Sequence, residues 1–380
     1  MKKIFLVAGE LSGDRIAAWY LQRLRRAEGF VNAQAVGGDN LLFAGAFLYE
    51  RFERLNVVGI IEIIKHLPRI VRILHRVGRH ILDHTFEEVV LVDFPGFNLR
   101  LARYLKRRKP SLRITYVSPP QLWCWGAWRI AQLKKYVDHV VVMYPFEVEW
   151  YRARGVAATW IGSPVYDALQ PYIEAPVPKE KMLVILPGSR SSEIRRMLPL
   201  MAEVAKRMLR DASHLRVSVC LAESLDTLWC DEQLKNVGLY HHERVQVVRT
   251  ALERHEVMQK SSMALTKPGT VTLELALLNV ASVVVFKISR VTYWLGRMFV
   301  TVNAMALPNL LLKKKLYPEF IQEACTVDNI YQEMSLLSRH VEKSDEYYQE
   351  IIEGCNTLRS MLSERNVIYD MQAPELLQQK

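Results

Sequence analysis

Three places in the chain set chemically competent side chains at the ends of short β-branched runs. Leu91-Val92-Asp93-Phe94-Pro95-Gly96-Phe97-Asn98 puts an acid at the end of a strand, and open parallel α/β sheets bind ligands outside the carboxyl ends of their strands. A carboxylate in apolar surroundings there is suited to general-base work, although the same residue type also caps helices. Pro187-Gly188-Ser189-Arg190, followed by Glu193-Ile194, joins a strand to a helix. Glycine lets the backbone approach a ligand, the helix N-terminus offers unpaired N–H groups, and Arg190 adds a permanent cation; together these suit phosphate. Turns of this composition also occur with no ligand. Lys267-Pro268-Gly269-Thr270-Val271-Thr272-Leu273-Glu274 repeats the pattern. Glu274 falls about one turn into the helix on the face of Thr270, placed to accept ribose hydroxyls or to sit solvated beneath a Thr270 cap.

A loop over Tyr116–Gly126 carries Trp123 and Trp125; such aromatics either wedge a domain or suit sugar faces and lipid headgroup boundaries. G-x-G-x-x-G, G-x-x-x-x-G-K-[ST], Asp-x-Asp and H-E-x-x-H are all absent, and His241-His242 has no acid or cysteine at ligand spacing. Nicotinamide binding is therefore not expected, and neither a metal nor any other cofactor is.

The elements that must position these residues alternate. Strands are expected at Ile4–Ala8, Glu88–Asp93, Arg113–Val117 and His139–Met143, then at Met182–Leu186, Leu215–Leu221, Val245–Val248, Met263–Thr266 and Ser282–Phe286, with helical patterns between them. That alternation implies parallel sheets covered on both faces. The strand–glycine–helix opening at Ile4–Asp14 recurs at Leu183–Ile194, so two doubly wound α/β domains are expected, joined by the proline-rich segment 170–178. A chain of 380 residues at 50% hydrophobic has apolar material for two cores.

Charge is uneven. Residues 1–170 hold 25 Lys/Arg against 15 Asp/Glu, and residues 171–380 hold 26 against 25. A basic first half meets an anion: nucleic acid, a phosphorylated ligand or an acidic membrane, unless it is only a solvated surface. The five scattered cysteines lack a C-x-x-C pair, which favours reduced thiols in a cytosolic protein. No signal peptide and no spanning helix are expected. Within Ile60–Arg79, Ile60, Ile63, Ile64, Leu67, Ile70, Val71, Leu74 and Val77 form one apolar face, and Lys65, Arg69, Arg72, Arg76 and Arg79 the opposite one. Pro68 should kink or divide this helix. Either the apolar face covers the sheet, or it enters a bilayer while the arginines meet headgroup phosphates.

Val7-Ala8-Gly9-Glu10-Leu11-Ser12-Gly13-Asp14, Asp93-Phe94-Pro95-Gly96-Phe97-Asn98, Pro187-Gly188-Ser189-Arg190 with Glu193-Ile194, and Pro308-Asn309-Leu310 occur in one order over nearly the whole chain. In this the chain closely resembles the lipid-A-disaccharide synthases, inverting glycosyltransferases of Gram-negative bacteria. The resemblance implies a GT-B fold of two Rossmann-like domains with an interdomain cleft. Residues 1–170 would form an acceptor- and membrane-facing domain, completed by C-terminal helices over 345–380, and residues 180–344 would bind the UDP-sugar. It implies transfer from UDP-2,3-diacylglucosamine to 2,3-diacylglucosamine 1-phosphate, giving a β-1,6 disaccharide 1-phosphate and UDP.

The expected roles follow from it. Asp93 is the first choice for the base and Glu10 the second. Gly188, Ser189, Arg190, Glu193, Thr270, Glu274 and Asn309 are donor candidates, and Ser12, Gly13, Asp14, Asn98, Trp123 and Trp125 line the acceptor side. Ile60, Ile64, Leu67, Arg69, Arg72 and Arg76 would hold an anionic membrane surface, so the protein is expected in the cytoplasm, peripheral to the inner membrane, with no nucleic-acid partner and a homodimer open. The chain departs from the family pattern at Gly96, at Gly162-Ser163-Pro164, at Lys267-Pro268 and at Lys313-Lys314-Lys315. Rival readings are another GT-B enzyme using a UDP-amino sugar and a lipid acceptor, a UDP-sugar epimerase, or a non-enzymatic basic protein binding membrane or RNA.

Overall fold

Continuous apolar runs can be strands only where both faces of a sheet are covered, and the central strands meet that condition. The computed structural model describes residues 2–54, 60–289 and 304–363, with the backbone alone at 54 and 60–67. They fall into two compact units, divided between Pro164 and Val165.

The first unit runs β1 (Lys2–Ala8), α1 (Leu11–Glu28), β2 (Val31–Gly37), α2 (Asp39–Phe43), β3 (Phe47–Arg51), α3 (Ile60–Asp83), β4 (Glu88–Val92), α4 (Pro95–Arg108), β5 (Arg113–Val117), α5 (Ile130–Tyr136), β6 (His139–Val142), α6 (Pro145–Arg152) and β7 (Ala158–Trp160). Its parallel sheet has the order β3-β2-β1-β4-β5-β6-β7. Residues Ile4–Ala8 of β1 and Val89–Val92 of β4 are fully buried. The strands at β2, β3 and β7 were not expected from the sequence: β2 interleaves Asn32 and Gln34, β3 is an edge strand with Phe47 66% exposed, and β7 has three residues.

The second unit runs α7 (Pro164–Glu174), β8 (Glu180–Leu186), α8 (Ser191–Asp211), β9 (Arg216–Cys220), α9 (Thr227–Asn236), β10 (Val245–Val248), α10 (Ala251–Lys260), β11 (Ser261–Thr266), α11 (Thr270–Leu277), β12 (Ala281–Phe286), α12 (Leu307–Leu312), β13 (Glu319–Ile321), α13 (Val327–Lys343) and α14 (Glu346–Ser363). Its parallel sheet has the order β10-β9-β8-β11-β12-β13. Both sheets thus reverse direction once, between β1 and β4 and between β8 and β11. The two domains expected from the sequence are present as doubly wound sheets.

Boundaries differ from the sequence expectation. The division falls ahead of the proline-rich segment, whose first residues complete α7 with Pro171 inside the helix. Helix α14 packs on α11 and α12 of the second unit rather than returning to the first. Ile351, Cys355, Leu358 and Leu362 recur along one face and are buried there, and Arg359 Nε donates to Leu277 O at 2.6 Å. Residues 364–380 lie outside the described part.

Helix α3 continues through Pro68 undivided. Ile73, Leu74, Val77 and Ile81 are buried while Arg69, Arg72, Arg76 and Arg79 are exposed. Over this half the apolar face covers protein, so Leu74 and Val77 are not available to a bilayer; Arg76 pairs with Glu50. The side chains of Ile60, Ile64 and Leu67 lie outside the described residues. No helix among the described residues is long and apolar enough to cross a membrane.

Asp14, an acceptor candidate, is fully buried, and its carboxylate accepts from the backbone N–H of Gly38 at 2.7 Å and of Asn40 at 3.0 Å, and from Asn40 Nδ2 at 2.9 Å. It ties α1 to the turn between β2 and α2. Removing it strands buried donors, each costing about 1–3 kcal/mol. Asp14→Ala should therefore lower the stability of the first unit by roughly 3 kcal/mol in a urea titration; a change below about 0.5 kcal/mol, ordinary for a surface substitution, would contradict this role.

Candidate functional site

Each sheet reversal brings two strand ends together whose following loops part toward different helices, and the crevice so formed is where such sheets hold ligands. In the first unit Ala8 is paired with Val92, so Glu10 and Asp93 emerge side by side. Asp93 and Phe94 both adopt the left-handed backbone region, with φ of 49° and 46°. For residues other than glycine this costs about 1–2 kcal/mol each, and the surroundings hold it in place. Asn98 Nδ2 donates to Val92 O at 3.1 Å and Asp93 O at 2.8 Å, Tyr116 Oη donates to Asp93 O at 2.7 Å, and Asp93 N donates to Val117 O at 3.1 Å. Gly9 is required by the same turn: a Cβ there would stand 2.1 Å from the Phe94 ring.

The turn delivers a half-buried carboxyl beside a second one. Burial, then the charge of Glu10 and a hydrogen bond with it, push the Asp93 carboxyl up to about 6, against the opposing Phe94 N–H. Ser12 Oγ donates to Glu10 Oε1 at 2.9 Å and fixes that neighbour. Gly13 is buried in the first turn of α1, beside Val92 O and Asp93. Asp93, Glu10 and Ser12 therefore converge. Asn98 is fully buried and shapes the turn. Trp123 is buried too, its Nε1 donating to Glu147 Oε1 at 2.7 Å, while burial pushes Glu147 up to about 7. Trp125 is exposed, edge-on to Trp128 at 5.8 Å, with the Arg129 guanidinium 4.5 Å above its ring. Trp128 and Arg129 were not singled out from the sequence, although the run Trp125-Gly126-Ala127-Trp128-Arg129 carries the signal.

In the second unit Leu186 is paired with Thr266, which sets Gly188-Ser189-Arg190 beside Lys267. Gly188 has φ 134°, and a Cβ on it would lie 2.5 Å from Glu193 Oε2 and 3.2 Å from Lys267 Cδ. Glu193 accepts from Ser189 N at 3.0 Å and from Lys267 Nζ at 2.9 Å. Burial acts to raise its pKa, but Lys267, the Ser189 N–H and Arg190 outweigh it and hold the carboxyl below its usual range. Arg190 caps α8 without a side-chain cap bond and is largely exposed. Lys267, missed from the sequence as a site residue, is a second cation at this crevice. Thr270 is the exposed first residue of α11, with Gly269 at the cap. Glu274 is not solvated: it lies 3.4 Å from Arg254 Nη2 and 3.6 Å from His255 Nε2. Asn309, a donor candidate, is buried and spent internally, donating to Tyr317 O and Glu319 Oε1 and accepting from Leu316 N and Tyr317 N, all at 2.8 Å. Among the described residues no three His, Cys, Asp or Glu side chains converge as a metal site.

The raised Asp93 carboxyl has a consequence for stability. Between about pH 4 and its folded value of about 6, the folded state keeps a proton the unfolded chain has lost, so stability falls as pH rises through that window. A shift from 3.8 to about 6 corresponds to about 3 kcal/mol. Asp93→Asn, with a residue tolerant of this backbone, should raise the thermal midpoint of the first unit at pH 8. An unchanged or lower midpoint there would contradict the burial of charge at this position.

The comparisons agree with this geometry. Residues 4–369 match the family model described as lipid-A-disaccharide synthetase, LpxB. The chain is 33% identical over 370 residues to the lipid-A-disaccharide synthase of Myxococcus xanthus, covering 95% of this chain and 94% of that one. It is 33% identical over 350 residues to that of Nitrosococcus oceani, covering 90% and 88%. In fold it is similar to the UDP-GlcNAc 2-epimerase of Neisseria meningitidis, solved with UDP-GlcNAc bound, at TM-score 0.64 and 11% identity over 97% of this chain and 98% of that one. Two parallel-sheet units with those neighbours are a GT-B fold. The chain belongs to the lipid-A-disaccharide synthase family, the glycosyltransferases of lipid A biosynthesis.

Proposed function

We propose that the chain transfers 2,3-diacylglucosamine from UDP-2,3-diacylglucosamine to 2,3-diacylglucosamine 1-phosphate, forming the β-1,6 disaccharide 1-phosphate and UDP. The observation that carries the reading is the half-buried Asp93–Glu10 pair at the β1–β4 reversal, with Asp93 raised to about 6. A base with that value is ionised at neutral pH yet basic enough to accept a hydroxyl proton as the oxygen attacks. Asp93 takes the proton from the carbon-6 hydroxyl of the acceptor, that oxygen forms the new bond to the anomeric carbon, and the UDP oxygen leaves with the bonding pair. One in-line displacement inverts the anomeric centre and needs no covalent enzyme intermediate.

The leaving diphosphate is the charge to be stabilised, and the second unit supplies the means. Arg190, Lys267 and the N-terminus of α8 lie at one crevice, with Glu193 bridging Lys267 and the Ser189 N–H; the two cations and the helix dipole favour negative charge developing there. UDP-GlcNAc is bound in a neighbour of the same fold, which supports a UDP-sugar here. Glu274 then meets the ribose, oriented by Arg254 and His255. We read the reaction as independent of metal and the protein as peripheral to the inner membrane, held by Arg69 and Arg72 of α3 against an anionic surface.

Asp93→Asn should lower kcat by at least 100-fold with the donor KM little changed, the usual worth of a general base. In the wild type kcat/KM should fall as pH drops below about 6, where Asp93 takes up its proton; retention of more than about a tenth of kcat by the variant would remove Asp93 from this role. Arg190→Ala should weaken UDP binding in a calorimetric titration. Chelation should leave turnover unchanged, and activity lost to EDTA and restored by magnesium or manganese would refute the metal-free reading.

A further inference from the structure

A groove of about 740 Å³ runs between α4 and α5 of the first unit, starting at Pro95 and Gly96, immediately past Asp93. Leu99 and Tyr136 give it apolar wall, and Arg100, Arg103, Arg129 and Lys135 line it. No carboxylate lines it, and among the described residues none of these four cations takes part in an ion pair. Some cations of this unit pair with acids, Arg51 with Asp39, Arg76 with Glu50 and Lys106 with Asp138, whereas the groove gathers four cations with no acid in its wall. The upper end of the groove is also the N-terminus of α4, a helix of 14 residues with no acid in its first turn and no side-chain cap. Helix dipole and guanidinium groups thus act in one direction.

Four cations beside apolar wall, opening next to a base, describe a site for a phosphate on an amphiphile. We infer that this groove holds the phosphate of the lipid acceptor and thereby orients its hydroxyl toward Asp93; the inference rests on the proposed acceptor. Arg100 and Arg103 follow Pro95 by roughly 7 and 12 Å along the helix. The attacking hydroxyl on carbon 6 and the phosphate on carbon 1 are held apart by the pyranose ring, so one end meets Asp93 while the other enters the groove. Planar guanidinium groups bind phosphate bidentately. The groove reads the acceptor: a sugar lacking the phosphate loses these contacts, and the four cations then lie together unneutralised.

Equilibrium binding and kinetics on the full chain in neutral detergent micelles test this. The ligands are 2,3-diacylglucosamine 1-phosphate and its dephosphorylated form. Arg100 and Arg103 are exposed, so Arg100→Ala/Arg103→Ala leaves the core intact. That variant should weaken binding of the phosphorylated ligand about tenfold or more while barely changing the other, as expected for lost charge-assisted hydrogen bonds. Its acceptor KM should rise with the donor KM unchanged, and Arg100→Lys/Arg103→Lys should recover part of the loss. Gly96→Asp, where only Arg100 Nη1 comes within 4.0 Å of the added Cβ, should weaken binding with every arginine present. Equal wild-type affinity for the two ligands would overturn the inference. So would a loss seen only on anionic vesicles, which would assign these arginines to bilayer headgroups. A wild type that binds the phosphorylated ligand but turns nothing over would refute the proposed reaction, while the binding comparison still decides the groove.

Discussion

The pairing of β1 with β4, and of β8 with β11, is the constraint on which the rest depends. Each pair joins strands that are neighbours in the sheet but far apart in the chain, and each marks the point where strand order reverses. The register aligns Ala8 with Val92 and Leu186 with Thr266, so the residue after one strand is presented beside the residue after the other. Burial on both faces fixes that register, because a slip of one residue would exchange side chains between two differently packed faces. Chemistry is then confined to the loops. In the first unit two successive left-handed residues at Asp93 and Phe94 are held by Asn98 and Tyr116. The strain sits at the carboxyl proposed as the base, and backbone strain of this kind gathers at functional sites.

The second crevice uses the same frame for the opposite charge. Glu193 occupies the centre, drawing Ser189 N–H on one side and Lys267 on the other. It keeps the loop folded and fixes the cation while no ligand is bound, and its depressed pKa shows that the surroundings favour an anion. In the proposed reaction the diphosphate binds beside this pair, at Arg190 and the N-terminus of α8.

How much was legible in the sequence follows from the range of the interactions. β1, β4 and β8 carry uninterrupted apolar runs, so these strands and the strand-end positions of Asp93, Gly188 and Arg190 could be placed from local pattern, whereas the order of the strands in each sheet came only with the structure. Asp14, Asn98, Trp123 and Asn309 sit in the same motifs and look equally functional, yet the Asp14 carboxylate, Asn98 Nδ2, Trp123 Nε1 and the Asn309 amide are spent on Gly38 N, Asp93 O, Glu147 and Tyr317. Those partners are set by tertiary contact, which residue type does not reveal. Lys267 was missed for the converse reason: a lysine before proline looks like a solvated loop residue until Glu193, 74 positions away, is seen to hold it. On α3 one apolar stripe served two readings, and only burial of Leu74 and Val77 shows that its second half faces protein.

The proposed reaction is a glycosyl transfer in which Asp93 is the base and the turn at Gly188–Arg190 takes the diphosphate. The most direct measurement is mass spectrometry, with NMR of the new linkage, on the products formed by the purified chain from UDP-2,3-diacylglucosamine and 2,3-diacylglucosamine 1-phosphate. The account predicts one disaccharide 1-phosphate, β-configured and joined to carbon 6, with one UDP released per disaccharide. A UDP-sugar returned with an altered ring stereocentre, or UDP released by hydrolysis with no disaccharide formed, would contradict it.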